Sequence, residues 1–264
     1  MTTDQIRLQT IGADGAPPVV FLHGLMGRGK NFLTIAKGLE PEFRSVLVDL
    51  PNHGSSSWTE TFDYAEITDA VATALRHELQ VPFHLVGHSM GGKIAMLLAL
   101  RHPELIDRLV IVDIAPADSS RTGSEFEHLL GSLRALDLDT IASRADADAA
   151  LAEPIPNSTV RGFLMQNLRR EADGFTWEPN LALLYASLPK IAEFPDQSGA
   201  TFNGPTLWIA GGRSEYVTDE VVPVMRSLFP NVRKSTVKQA GHWVHSQRPE
   251  EFLGLLRAFL PQPA

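Results

Sequence analysis

Phe83-His84-Leu85-Val86-Gly87-His88-Ser89-Met90-Gly91-Gly92-Lys93 decides how this chain is read. Phe83–Val86 is a short apolar run of strand length, and the Ala/Leu/Met-rich stretch Met90–Arg101 has the composition of a helix. Between the two, Gly-x-Ser-x-Gly puts a glycine two residues to either side of Ser89. A strand-to-helix turn this sharp strains the serine backbone and leaves no room for side chains at 87 and 91. The helix N-terminus that follows favours negative charge at the same point. Ser89 is therefore the expected nucleophile.

Working outward, four further apolar runs resemble Phe83–Val86: Val19–Leu22, Ser45–Asp49, Leu109–Asp113 and Thr206–Ala210. Continuous β-branched runs suit a parallel sheet covered on both faces. Helical patterns lie at Asp63–Leu79, Met90–Arg101, Thr218–Phe229 and Glu250–Leu260. Strand and helix in alternation predict an α/β, doubly wound, mostly parallel sheet. The rhythm breaks over 117–200, where helical patches (125–136, 159–169, 181–187) occur without a clear strand and prolines punctuate the chain. The expected organisation is a core of 1–116 and 201–264 with a helical lid insertion at 117–200. The insertion leaves directly after a strand C-terminus, where open α/β sheets bind ligands.

Serine is a weak nucleophile at neutral pH and needs a base within hydrogen-bond reach. His242, in Ala240-Gly241-His242-Trp243, is the candidate, and the order serine, acid, histidine suits a strand–turn–helix nucleophile. Asp113 ends an apolar strand and is the expected acid; Glu215 and Asp219, after the strand ending at Ala210, are the alternatives. His23-Gly24-Leu25-Met26-Gly27 follows the first strong strand, and the N–H groups of Leu25 and Met90 are the expected oxyanion donors. His23, Met26, Trp243 and Tyr216 are the expected substrate contacts; Met26 and Met90 either line an acyl pocket or simply pack.

One overlapping string competes. Gly24–Lys30 also satisfies G-x-x-x-x-G-K, and Leu109–Asp113 could pass as the acidic strand of a nucleotide-triphosphate site. The next residue is Asn31, which has no hydroxyl for Mg²⁺, and this reading leaves Ser89 and His242 without a role. His245 lies three residues after His242, but no local carboxylate or third histidine completes a metal set, so no metal or cofactor is expected.

Bulk properties agree with a globular catalyst. The chain has 264 residues, 44% hydrophobic and 20% charged, with net charge −8 and no cysteine. No basic patch suggests a nucleic-acid partner. Absence of cysteine removes disulfides and thiol chemistry. The polar stretch from Met1 to Pro18 lacks the pattern of a secretory signal, and no apolar run reaches membrane-spanning length, so a soluble cytoplasmic location is expected. Oligomeric state is not legible.

Taken together, the chain resembles the α/β-hydrolase superfamily, and within it the YbfF-like bacterial esterases and their mitochondrial relatives. The matching segments are Phe21–Gly27, Asp49–Ser56, Val86–Lys93, Val112–Pro116, Gly211–Ser214, Ala240–His245 and, in the insertion, Arg161–Leu168. The resemblance implies an α/β-hydrolase fold, cofactor-free hydrolysis of small esters with short acyl groups, and an Asp at position 113 as the acid. It equally embraces acyltransferases and thioesterases with the same three residues, and a non-catalytic ligand sensor would share the fold. Pro51 departs from the Arg common among relatives, and Arg213 from their Asn.

Overall fold

In chain order the elements are β1 (Leu8–Ile11), β2 (Pro18–Leu22), α1 (Leu33–Gly38), β3 (Arg44–Val48), α2 (Tyr64–Glu78), β4 (Phe83–His88), α3 (Met90–Arg101) and β5 (Ile106–Val112). Then come α4 (Ser120–Ala135), α5 (Arg144–Ala150), α6 (Ser158–Met165), β6 (Leu168–Glu171), β7 (Gly174–Trp177), α7 (Leu181–Ala186) and α8 (Leu188–Ala192). The chain closes with β8 (Thr206–Gly211), α9 (Val222–Leu228), β9 (Val232–Val237), α10 (Val244–Gln247) and α11 (Pro249–Phe259). This computed structural model describes residues 6–79, 81–118, 120–197 and 199–261; Met1–Gln5, the start of the polar N-terminal stretch, lie outside them.

The five apolar runs form the centre of a seven-stranded sheet ordered β1-β3-β2-β4-β5-β8-β9. All neighbours are parallel except β1 against β3. Successive residues point to opposite faces, which explains the unbroken apolar runs. Val20, Leu22, Leu85 and Leu109 join the core under α2, α3 and the insertion, while Val19, Phe21, Val86 and Val110 join the core with α1 and α11. The two edge strands escape the apolar-run criterion. β1 is half-exposed, and β9 carries Arg233 and Lys234, as suits an edge exposed to water.

The insertion between β5 and β8 is not wholly helical. β6 and β7 form an antiparallel hairpin from Leu168↔Trp177 to Glu171↔Gly174. Its first strand, Leu168-Arg169-Arg170-Glu171, is polar and mostly exposed, so it lacks the alternation that marks a strand in sequence. Buried polar groups seat the insertion on the core. Lys93 Nζ donates to the carbonyls of Ala192 at 2.6 Å and Glu193 at 2.7 Å, at the end of α8, where a cation meets otherwise unpaired carbonyls. Burial lowers the Lys93 ammonium pKa to about 8. Tyr64 Oη donates to the Ile191 carbonyl at 2.9 Å, and the Asn180 N–H to that of Asn52 at 3.0 Å.

The glycines of the β4–α3 turn are set by close packing. A Cβ at Gly87 would lie 2.4 Å from the Gly91 carbonyl oxygen, and one at Gly91 would lie 2.4 Å from that of His23 and 2.5 Å from that of Leu22. α3 is thereby pressed against the end of β2. Gly91→Ala should cost at least about 1–3 kcal/mol, because the clash is with backbone that cannot rotate away. Urea unfolding checks this; a stability equal to wild type would show that the turn has slack.

Candidate active site

Ser89 leaves the sheet at the end of β4, where its N–H still donates to the Val112 carbonyl at 3.1 Å. It adopts φ 54°, the left-handed region that costs a non-glycine residue free energy, and becomes the N-cap of α3. Its Oγ lies 3.0 Å from His242 Nε2. His242 comes from the loop after β9, and its Nδ1 lies 2.8 Å from Asp113 Oδ2. A carboxylate only accepts, so Nδ1 carries the proton and the Nε2 lone pair faces Ser89.

Asp113 follows β5 with φ 50° and has no solvent exposure. Besides His242, its oxygens accept from the Gly211 N–H at 2.8 Å and from the Ser214 hydroxyl. Its own N–H donates to the Ile209 carbonyl at 2.8 Å, and Trp208 Nε1 holds the next carbonyl, Ile114, at 2.8 Å. Of the alternative acids, Glu215 is exposed, and Asp219 is exposed and pairs with Lys234 at 3.6 Å. The carboxylate against the imidazole is that of Asp113.

The loop after β2 lies directly beside Ser89: a Cβ on Gly24 would stand 3.0 Å from Ser89 Cβ. Residues 24–27 form a tight turn, with the Gly27 N–H donating to the Gly24 carbonyl at 2.9 Å and Met26 at φ 60°. The same carbonyl lies 2.8 Å from His23 Nδ1, while the Leu50 N–H donates to His23 Nε2 at 3.0 Å. His23 is thus a neutral imidazole with both nitrogens engaged by backbone. In a trans peptide the N–H points opposite to its carbonyl. Holding the Gly24 carbonyl therefore aims the Leu25 N–H. The Met90 N–H belongs to the first turn of α3, whose amides have no intrahelical partner.

A narrow cavity at Ser89 is lined by His23, Gly24, Leu25, His242 and Trp243 from the core and by Phe126 and Phe163 from the insertion. An adjoining cavity of about 270 Å³ shares Asn31, Phe163, Trp243 and His245 with it. Of the expected substrate contacts, His23 and Trp243 line the cavity. Tyr216 instead stacks on the His242 ring at 4.2 Å between centroids, and the Met26 side chain lies in the apolar core. The competing Gly24–Lys30 string cradles a protein carboxylate: the Gly29 N–H donates to Asp49 Oδ1 at 2.7 Å, and Lys30 is exposed. Among the described residues no helix is long and apolar enough to cross a membrane.

Two participants carried no sequence signal of their role. Ser214 meets Asp113 across two loops, and His88 Nε2 donates to the His242 carbonyl at 2.9 Å. Both pairings join residues far apart in sequence. The only hint was that both lie in the segments quoted for the family resemblance.

Comparison with known proteins agrees with this geometry. The family model described as alpha/beta hydrolase fold matches residues 17–249. The chain belongs to the α/β-hydrolase family. It is 38% identical over 250 residues to the sn-1-specific diacylglycerol lipase ABHD11 of Mus musculus, covering 92% of this chain and 81% of that one. It is 29% identical over 256 residues to Esterase YbfF of Escherichia coli, covering 97% and 98%. Among solved structures, a marine microorganism esterase superposes with a TM-score of 0.93 at 28% identity, covering 97% and 99%. The expected family and the mostly parallel sheet are both found.

Around the site, burial holds several imidazoles neutral. Desolvation lowers the pKa of His23 to about 4 and those of His53 and His245 to about 3, and puts His88 well below the ordinary value. His245 stacks on Phe32 with ring centroids 4.4 Å apart. The unfolded chain binds protons near pH 6.5 where the folded one does not, so folding stability is complete above that pH and falls as pH drops towards 3–4. Each such histidine contributes up to about 1.4 kcal/mol per pH unit across the window. Urea unfolding should therefore show a clear loss from pH 7 to pH 5, and His245→Phe should flatten it by one histidine's share. A stability independent of pH over that range would contradict the burial of these rings.

Proposed function

We propose that this protein hydrolyses small carboxylic esters with short acyl chains through an acyl-enzyme on Ser89. The observation that carries this reading is the unbroken series from Asp113 through His242 to Ser89, with contacts of 2.8 and 3.0 Å. Ser89 Oγ attacks the ester carbonyl carbon as His242 Nε2 takes its proton. The N–H groups of Leu25 and Met90 receive the developing oxyanion. His242 then hands the proton to the alcohol oxygen as the ester C–O bond breaks, leaving the acyl group on Ser89. Water, deprotonated by the same imidazole, attacks the acyl carbon and restores the serine. Asp113 holds the imidazole tautomer and stabilises the imidazolium, and the Gly211 amide and Ser214 hydroxyl keep that carboxylate ionised and oriented. The stacked Tyr216 ring and the His88 bond limit tilting of His242.

Insertion 117–200 acts as a lid. Phe126 and Phe163 close over Ser89 opposite Trp243, which supports a preference for small acyl groups. The names of the relatives, a lipase and two esterases, support ester hydrolysis as the reaction.

Ser89→Ala should abolish turnover of p-nitrophenyl esters and labelling by a fluorophosphonate while the protein stays folded; labelling that persists would remove Ser89 from its role. Asp113→Asn should lower kcat severely, by up to ~10⁴-fold, with the fold retained. Glu215→Gln should change kcat little, and the reverse ranking would move the acid to the later loop. Phe163→Ala should shift activity from acetate towards longer acyl esters; an unchanged chain-length profile would show that the insertion does not select the acyl group.

A further inference from the structure

The oxyanion loop depends on a side chain from outside the core. Asn167 follows α6 in the insertion and is almost fully buried. Its Nδ2 donates to the Met26 carbonyl at 2.8 Å and to the Leu164 carbonyl at 3.2 Å. Both partners are acceptors, so the amide can face them only with its nitrogen. Among the described residues its Oδ1, also buried, has no partner. A buried amide oxygen without a donor costs folding free energy. Leucine would fill the same space without that cost, so packing alone does not account for an amide here.

The Met26 carbonyl belongs to the peptide whose N–H is that of Gly27, and this N–H closes the turn on the Gly24 carbonyl at 2.9 Å. The Gly24 carbonyl in turn belongs to the peptide that carries the Leu25 N–H. Asn167 therefore grips one end of a chain of two peptide planes, and the Leu25 N–H is at the other. Met26, at φ 60°, is a non-glycine residue in a strained backbone region and needs such external restraint. Asn167 is itself anchored, since its carbonyl accepts from the Glu178 N–H at 2.9 Å and its N–H donates to Leu164 at 3.1 Å. Neighbouring bonds reinforce the seat: Asn31 Nδ2 donates to Gln166 Oε1 at 2.9 Å, and Arg28 pairs with Glu178 at 2.9 Å.

We propose that Asn167 is a positioning residue that holds the Leu25 N–H in its oxyanion-binding orientation, making the insertion part of the catalytic machinery as well as its cover. This rests on the ester-hydrolase reading above. Asn167 does not touch substrate. Its loss leaves Ser89, His242 and substrate binding in place but loosens one donor that matters most in the transition state.

The test is Asn167→Leu, assayed on a p-nitrophenyl ester beside wild type and Ser89→Ala. The expected result is a 10- to 100-fold fall in kcat with KM within about threefold, as befits an interaction made chiefly in the transition state. Affinity for an alkyl boronic acid, which mimics the tetrahedral oxyanion on serine, should fall in parallel with kcat/KM. The thermal midpoint should stay near that of wild type. Purely structural damage would lower the midpoint and the active fraction without changing boronate affinity per active site. That result, or wild-type kcat in Asn167→Leu, overturns the proposal. If Asn167→Leu does not fold, Asn167→Ala is judged by the same criteria. Full activity in Ser89→Ala would instead sink the underlying ester-hydrolase reading, so the two failures are distinguishable.

Discussion

A carboxylate with no access to water is stable only if protein donors replace the solvent, and the site is arranged around meeting that demand for Asp113. The donors come from β8 through Gly211, from the following loop through Ser214, and from the β9–α10 loop through His242. Three stretches of backbone that could otherwise drift are therefore tied to the end of β5. Once the imidazole is held on its Nδ1 side, its Nε2 lone pair has one direction left, and Ser89 stands there. The strained serine backbone is tolerated because α3 is clamped on the end of β2, with Gly91 against the Leu22 and His23 carbonyls.

Protons around the site are kept off by burial. His23, His53, His88 and His245 pack close together in dry surroundings that resist charging. A second cation near His242 would oppose the imidazolium that the proposed reaction must form. Neutral neighbours avoid that conflict while still offering hydrogen bonds, as His88 does to the His242 carbonyl. The cost is sensitivity to acid, since every such ring is a proton site that opens only on unfolding.

The insertion illustrates how a covering element becomes coupled to what it covers. Its contacts with the core are not only apolar. Lys93, in the first turn of the helix that begins at Ser89, caps the carbonyls at the end of α8, and Asn167 reaches the turn beside Ser89. Buried polar contacts of this kind are directional, so they set where the insertion sits rather than merely that it sits. An insertion held this way can be remodelled at its exposed hairpin without moving its grip on the site.

The sequence by itself determined the parts that are local. Five apolar runs announce the central strands because a strand buried on both faces must be apolar throughout, and Gly-x-Ser-x-Gly announces the turn because only glycine fits beside close backbone. Asp113 was legible as the end of such a run, but Glu215 and Asp219 remained as rivals because a carboxylate's partner is not written beside it. Only the tertiary structure decided among them, by bringing β5 and β8 together and burying one acid against His242. The polar hairpin at 168–177 and the edge strands escaped notice because strands facing water carry no apolar signature. Ser214, His88 and Asn167 were invisible in their roles for a related reason: each acts through a hydrogen bond to a group distant in the chain, and direction in space is what folding adds to composition.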